Sequence, residues 1–459
     1  MSIFLLLPNQ LFKDIKLLKT YAVVYLLEDS YYLNPKFHKQ KLLLHLSSMG
    51  YYYDYLIKNK INVKYIKFSD IDYRKLLHKK DNVTMYNPID KFILKQFKPY
   101  NVKYLDTPLF LCTLSELDLY KSKLNGKRAT NSDFYKYQRK KLKILMKNEN
   151  DPLMDKWSFD ELNRNPFDKD YKESKIKTYE NEYINKAKLY IVKHYKDSFG
   201  NFDNFYYPNN HKDAELHLKQ FIKNKLDNFG KDQDAISKDV VYGNHSNISA
   251  LLNTGLLTPK LVITSIVSYL DSHKSKNLLY STEAIIRQII SWREYIRFVY
   301  VYYSNDIVKF KGLSNNKKIP NSWYKGNTEL NILNHYIDKV KEYGYLHHIE
   351  RLMIMNNLFI LYEINFIDSY KWFMRCFIDS YDWVMIPNIY MNINSLNDKF
   401  KYMTKIYIAS DNYIRKMSDF KETDDFKYIN KIYWNFLKKN KTLLKNDYGI
   451  RSQINKIKN

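Results

Sequence analysis

Four short apolar runs, all within the first 107 residues, constrain this 459-residue chain more than any other feature. They are "IFLLL" (3–7), "YAVVYLL" (21–27), "VKYIKF" (63–68) and "VKYLDT" (102–107), each the length of a buried strand. Between the second and third, "HKQKLLLHLSSMGYYYDYLIKNK" (38–60) carries apolar residues at helical spacing. That alternation predicts a doubly wound parallel α/β unit. Ligands of such sheets bind at the carboxyl ends of the strands, where "PNQLF" and "EDSYY" fall.

From about 130 to 232 the chain is charged and aromatic, punctuated by "NDP", "NRNPF" and "YYPNNH", with helices expected at 132–147 and 210–229. Beyond 233 strand signals nearly vanish. Helical patterns recur at 247–254, 259–270, 281–303, 329–342, 346–362, 367–382 and 425–440. The expected organisation is an α/β domain over 1–130, a connecting segment with helices over 131–232, and an all-helical domain over 233–459.

Lys and Arg number 75 against 49 Asp and Glu, a formal charge of +26. Such an excess favours a polyanionic partner, because neutralised phosphates release counterions; Lys- and Asn-rich usage from an A+T-rich genome gives the same bias. Two cysteines, Cys112 and Cys376, cannot build a disulfide framework, which fits a reducing intracellular compartment. The opening "MSIFLLLPNQLF" lacks the basic region and cleavage site of a signal peptide. No stretch approaches eighteen uncharged apolar residues, so a soluble protein with no membrane partner is expected.

Several stretches carry chemistry. "HSNISALLNTGLL" (245–257) sets Ser246 and Ser249 at i, i+3 before Asn253 and Gly255, which suits either a phosphate site or an ordinary helix cap. "STEAIIRQIISWREYIRFVY" (281–300) has charges on both sides of an apolar stripe, bordering a cavity or forming an exposed ion-pair face. "LHHIERLM" places His347 and His348 side by side. Adjacent helical positions diverge by about 100°, which argues against a shared metal, whereas one imidazole remains a good proton donor. "YKWFMRCFIDSYDWVMIPN" (370–388) aligns Trp372, Cys376, Asp379 and Trp383, as a core stripe or the wall of a planar cofactor.

Taken together these segments resemble the cryptochrome/photolyase superfamily, and more narrowly its prokaryotic (6-4) photolyases, the iron–sulfur bacterial group. "LPNQL" (7–11), "DFYKYQRKKLKILM" (133–146), "KWSFDELNRNPF" (156–167), "NFGKDQDAI" (228–236), "SWREYIR" (291–297), "GYLHHIERLM" (344–353) and "SDNYIRKMS" (410–418) are similar in order and spacing to that group's signatures. The resemblance implies a U-shaped FAD in the helical domain, held by Ser246, Ser249, Asn253 and Gly255, with Arg293, Asn357, Trp383, Met385 and Asn388 along the same cavity. It implies UV-damaged DNA as the partner of a monomer, His348 as proton donor with His347 beside it, and electron transfer through Trp372 and Tyr324. It further implies a 6,7-dimethyl-8-ribityllumazine antenna near Asn9, Gln10, Glu28, His38 and Lys41. A light-driven (6-4) DNA photolyase is the expected activity, a flavin-binding photoreceptor without repair the alternative.

The chain departs from that pattern in two places. The four cluster cysteines of the group fall at Ile332, Lys421, Asp424 and Lys427, none of which supplies a thiolate, so no iron–sulfur cluster is expected. Met385 stands where the group has a glutamate near the flavin ring, and "YMNINSLNDK" (390–399) replaces a glycine-rich segment.

Overall fold

A five-stranded, all-parallel sheet occupies the N-terminal end of the chain in the computed structural model, with order β3-β2-β1-β4-β5. The structure describes every residue except 79–80, 176, 274, 310–311, 395–405, 448 and 458–459, with backbone alone at 391–394; the second half of the 390–399 replacement thus lies outside the described residues. The strands are β1 (Ser2–Leu6), β2 (Val23–Leu27), β3 (Val63–Ile66), β4 (Asn82–Tyr86) and β5 (Lys103–Leu105). Four match the expected runs. β4, "NVTMY", was not anticipated, because Asn and Thr interrupt its apolar run and charged residues precede it. Yet it sits centrally beside β1, in register Ile3 with Val83 and Phe4 with Thr84. The chain reverses direction of winding between β1 and β4, so the ligand crevice of this topology opens there.

The Lys39–Lys58 helix covers the sheet and packs on Glu182–His194. His38 caps it: Nδ1 accepts the Gln40 N–H at 3.0 Å. The expected helix at 132–147 ends early, at Leu142, because Lys143 turns left-handed (φ 53°).

C-terminal to residue 245 the described residues form helices and loops, as the loss of strand signals implied. Two of these helices are locally widened into π-helix, at Arg287–Arg293 and Glu350–Asn356. π-turns weaken regular hydrogen bonding and recur at functional sites. The first is continuous with Glu294–Lys309, which packs lengthwise on Asp382–Asn394. Sheet and helices share one hydrophobic core. Polar staples reinforce the junction: Lys41 Nζ donates to Ser380 O (2.6 Å), Trp383 N–H to Asp90 Oδ1 (3.2 Å), and Leu11 N–H to Thr254 O (3.0 Å).

Candidate functional site

The two π-turns place guanidinium groups around one buried carboxylate, Asp379, in the loop between the Phe366–Cys376 and Asp382–Asn394 helices, Arg351 directly and Arg293 through Asn253. Arg351 reaches it with both terminal nitrogens, Nη1–Oδ1 at 2.8 Å and Nη2–Oδ2 at 3.3 Å. Ser249 Oγ donates to Oδ2 at 2.6 Å, and Asn253 Nδ2 to the Asp379 carbonyl at 2.9 Å. Arg293 Nη1 in turn donates to Asn253 Oδ1 at 2.7 Å, its guanidinium resting between the Phe110 and Trp383 rings, 4.8 Å from each. Burial pushes the Asp379 carboxyl up, but the charge and hydrogen bonds of Arg351 with the Ser249 hydroxyl outweigh it and hold it below its usual value. The same burial lowers Arg293 to about 10. Ser249, Asn253, Arg293 and Trp383, chosen from sequence, therefore converge. Arg351, and the hub role of Asp379, were missed; the residue pattern "IERLM" gave no sign that its arginine would turn inward.

The histidine doublet lies next to this hub, since Arg351 N–H donates to the His347 carbonyl at 3.0 Å and Arg351 Nε to Leu346 O at 2.7 Å. The two side chains differ sharply. His347 is buried, stacked on His245 with ring centroids 4.7 Å apart, and its Nδ1 has no partner. Burial, then the charges of His245, His348, Lys339 and Arg351, drive its imidazole well below the ordinary value. It is neutral, so its 3.7 Å approach to Glu350 is a polar contact rather than an ion pair. Glu350 pairs instead with buried Lys339 at 2.7 Å. His348 is half-exposed, with Nε2 at 3.3 Å from Asp234 Oδ1. Asp234 is the other residue sequence reading passed over.

Other expected residues serve elsewhere. Gly255 (φ 86°) ends the Ser249–Thr254 helix against the sheet unit, where a Cβ would meet Phe12 at 2.9 Å and Leu11 N at 3.0 Å. Ser246 is half-buried and offers its carbonyl to His217. The Asn357 amide is committed to both backbone groups of Ala409, at 2.9 and 3.0 Å, and Asn388 Nδ2 to Val384 O at 2.7 Å. Met385 is buried near Trp383 on the same helix. At the positions that resemble cluster cysteines, Ile332 is buried with its N–H on Asp425 at 2.7 Å, while Asp424 and Lys427 form an exposed pair.

Trp372 is fully buried, but its neighbour is Trp323 rather than Tyr324. Its indole N–H meets Trp323 O at 3.0 Å, and Phe359 lies between the rings (5.4 and 4.7 Å). Trp323 then contacts Tyr362 at 5.3 Å, which approaches part-exposed Tyr428 at 6.2 Å. Tyr324 stacks under Arg375 near Phe199 instead.

At the carboxyl end of the sheet, four of the five expected antenna residues are tied into the fold. Gln10 clamps β1 to β4 through Leu7 N–H and Tyr86 O; Glu28 accepts from Tyr65 and Phe68; His38 Nε2 sits on Val340 O (2.9 Å); Lys41 holds Ser380. Asn9 Oδ1 has no partner, and neither do Tyr32 OH, His45 Nδ1, Ser48 Oγ and Asp90 Oδ2 nearby. The Tyr32 and His45 rings are 6.2 Å apart. Ile89, β-branched yet at φ 71°, strains the backbone beside Asp90.

A sheet unit docked on a helical bundle is an architecture shared with known proteins. A bacterial class III photolyase from Agrobacterium tumefaciens superposes with a TM-score of 0.57 at 15% identity, over 99% of this chain and 98% of its own. A cryptochrome from Synechocystis does so with 0.57 and 15%, over 95% and 89%. The fold class is that of photolyases and cryptochromes. A family profile described as "Deoxyribodipyrimidine photo-lyase-related protein" matches residues 4–207, and a protein of Agrobacterium fabrum named "(6-4) photolyase" is 34% identical over 335 residues, 71% of this chain and 65% of that protein's length. The chain belongs to the cryptochrome/photolyase superfamily.

Proposed function

We propose that this protein is a light-driven, flavin-dependent (6-4) DNA photolyase that reverts pyrimidine–pyrimidone (6-4) photoproducts. The observation that carries the reading is His348: half-exposed, backed by Asp234, and one turn from a buried cationic hub.

FAD fits the residues present. Arg293 and Arg351 match a pyrophosphate, Ser249 and Asn253 supply hydrogen-bonding groups, and Asn247 Oδ1 and Asn356 Nδ2 are buried polar atoms without partners, as where a polar ligand completes the shell. When bound, reduced FAD supplies the light-driven electron that opens the lesion. The chain does the rest. Asp234 accepts a hydrogen bond from His348 Nε2–H and fixes its ring, so that the doubly protonated imidazolium gives up its Nδ1 proton to the lesion and returns to the neutral ring with Nε2–H still on Asp234. Neutral His347 packs behind it. Flipping the lesion out of the duplex costs a few kcal/mol, offset by phosphate contacts from the basic surface. Trp372, Trp323, Tyr362 and Tyr428 form the route for flavin reduction in place of Tyr324. Residues 1–130 serve as an antenna-type domain, 131–232 as connection and 233–459 as the flavin domain of a monomer. The unpartnered groups of Asn9, Tyr32, His45, Ser48 and Asp90 fit a ribityllumazine better than His38 or Lys41 do. No described helix is long and apolar enough to cross a membrane, in keeping with a freely diffusing DNA-repair protein.

Irradiating the reduced protein with an oligonucleotide bearing one (6-4) lesion tests this: intact thymines should reappear only in light. Met385, where related chains place a carboxylate, favours the second reading, a photoreceptor that binds flavin without repair. Yellow protein with no lesion reversal would select it.

A further inference from the structure

The doublet has a third partner that sequence separation conceals. His347 precedes the helix that His348 begins, so the 100° divergence of adjacent helical positions does not apply, and the loop at 243–248 brings in His245. One ring nitrogen from each of His245, His347 and His348 lies within 4.8 Å of the others. Two further observations point to a ligand here. Nδ1 of His347, a residue 6% exposed, has no hydrogen-bond partner. His245 faces a carbonyl oxygen with each nitrogen, Tyr242 O at 3.1 Å and Gln233 O at 3.0 Å. A neutral ring has one proton for two acceptors, so one contact sets a lone pair against an oxygen unless a cation stands between them.

We propose that His245, His347 and His348 form a binding site for a borderline divalent transition metal, Zn²⁺ foremost, and that occupancy switches off the proton donor. Three imidazoles with an open position is the donor set that Zn²⁺ takes. Asp234 at 3.3 Å from His348 and Glu350 at 3.7 Å from His347 stand where carboxylates orient metal-bound imidazoles. Half-exposed His348 is the door. Ligand nitrogens of a tetrahedral site with bonds of about 2.0 Å stand roughly 3.3 Å apart, so the rings close by an ångström or so on binding. The inhibitory consequence rests on the proposed function; the site itself does not.

Titrating the full-length protein with Co²⁺, then displacing it with Zn²⁺, gives a readout independent of repair. One equivalent should bind with the visible bands of four- or five-coordinate cobalt. Asp234→Asn should weaken it by about tenfold or more, and His348→Ala, a change at an exposed side chain that leaves the fold intact, by more. His273→Ala, on an exposed helix end, should change nothing. No uptake at micromolar metal, or uptake unaffected by His348→Ala and His245→Gln, overturns the proposal. Repair should cease on Zn²⁺ addition and return with chelator; persistence of repair in the Zn²⁺-loaded protein overturns the switch. Absence of light-driven repair in metal-free protein removes the photolyase reading and leaves the cobalt titration to decide the site.

Discussion

The helical hub and the carboxyl end of the sheet both bury ionisable groups, and they neutralise them in opposite ways. Around Asp379 the acids are paired, Arg351 on Asp379 and Lys339 on Glu350, with hydroxyl and amide groups filling the remaining valences, while Arg293 rests on the Asn253 amide oxygen. At the sheet end two acids share one enclosure. Burial, then the charge of Asp382, pushes the Asp90 carboxyl well above its usual range, while burial raises Asp382, which bonds Tyr370. Nearby Lys41 is lowered to about 7 by the same desolvation. Paired charges form a fixed field suited to an anionic ligand and a reacting centre. Acids pushed toward their protonated forms and unpartnered polar atoms form a crevice suited to a neutral polar ligand or to water.

Breaking the hub should be felt most. His348→Ala should lower light-driven repair by about 10²–10⁴-fold, the range of general-acid contributions, with flavin absorbance retained; full repair would sever the doublet from the chemistry. Glu350→Gln strips buried Lys339 of its countercharge and should destabilise by about 3–5 kcal/mol in denaturant melts. A loss under 1 kcal/mol would mean that the Lys339 ammonium finds water.

Acid should then distinguish the regions from the rest of the molecule. Desolvation lowers His38, His217 and His245 to about 4. Unfolded imidazoles take up protons near 6.5 while the native ones do not, so stability held above that pH drains away as pH falls toward 4. Each ring accounts for up to about 3 kcal/mol of that loss. A melting temperature constant from pH 7 to 4.5 would contradict this. For the buried acid Asp90 the sign reverses. Asp90 is raised, so its contribution is lost as pH rises, and Asp90→Asn should raise the melting temperature at pH 8 with no difference near pH 4. The smallest effect belongs to the aromatic route: Trp323→Phe should slow flavin photoreduction and Tyr324→Phe should not, measured by bleaching of oxidised flavin under blue light.

Much of this was legible beforehand. The alternation of strand-length runs with one helical stretch fixed a parallel sheet, although β4 escaped because Asn and Thr break up its five residues and its burial comes from two neighbouring strands rather than from its own pattern. Ser249, Asn253, Arg293 and Trp383 were singled out by the resemblance of their segments to the family's signatures, because spacing alone suited a helix cap or a core stripe equally well. Asp234 and Arg351 were not, because a single charged residue in a charged chain looks like any other until the backbone turns it.

Periodicity and composition by themselves determined the order of layers, the basic surface and the absence of the four thiolates that a cluster requires, since these depend only on which side chains exist and how often they repeat. Which histidine is buried, which faces water, and that residue 245 joins 347 and 348 were decided by tertiary structure alone. A contact between groups a hundred residues apart has no local signature; it is set by how two helices and a loop pack, and packing is a property of the whole chain.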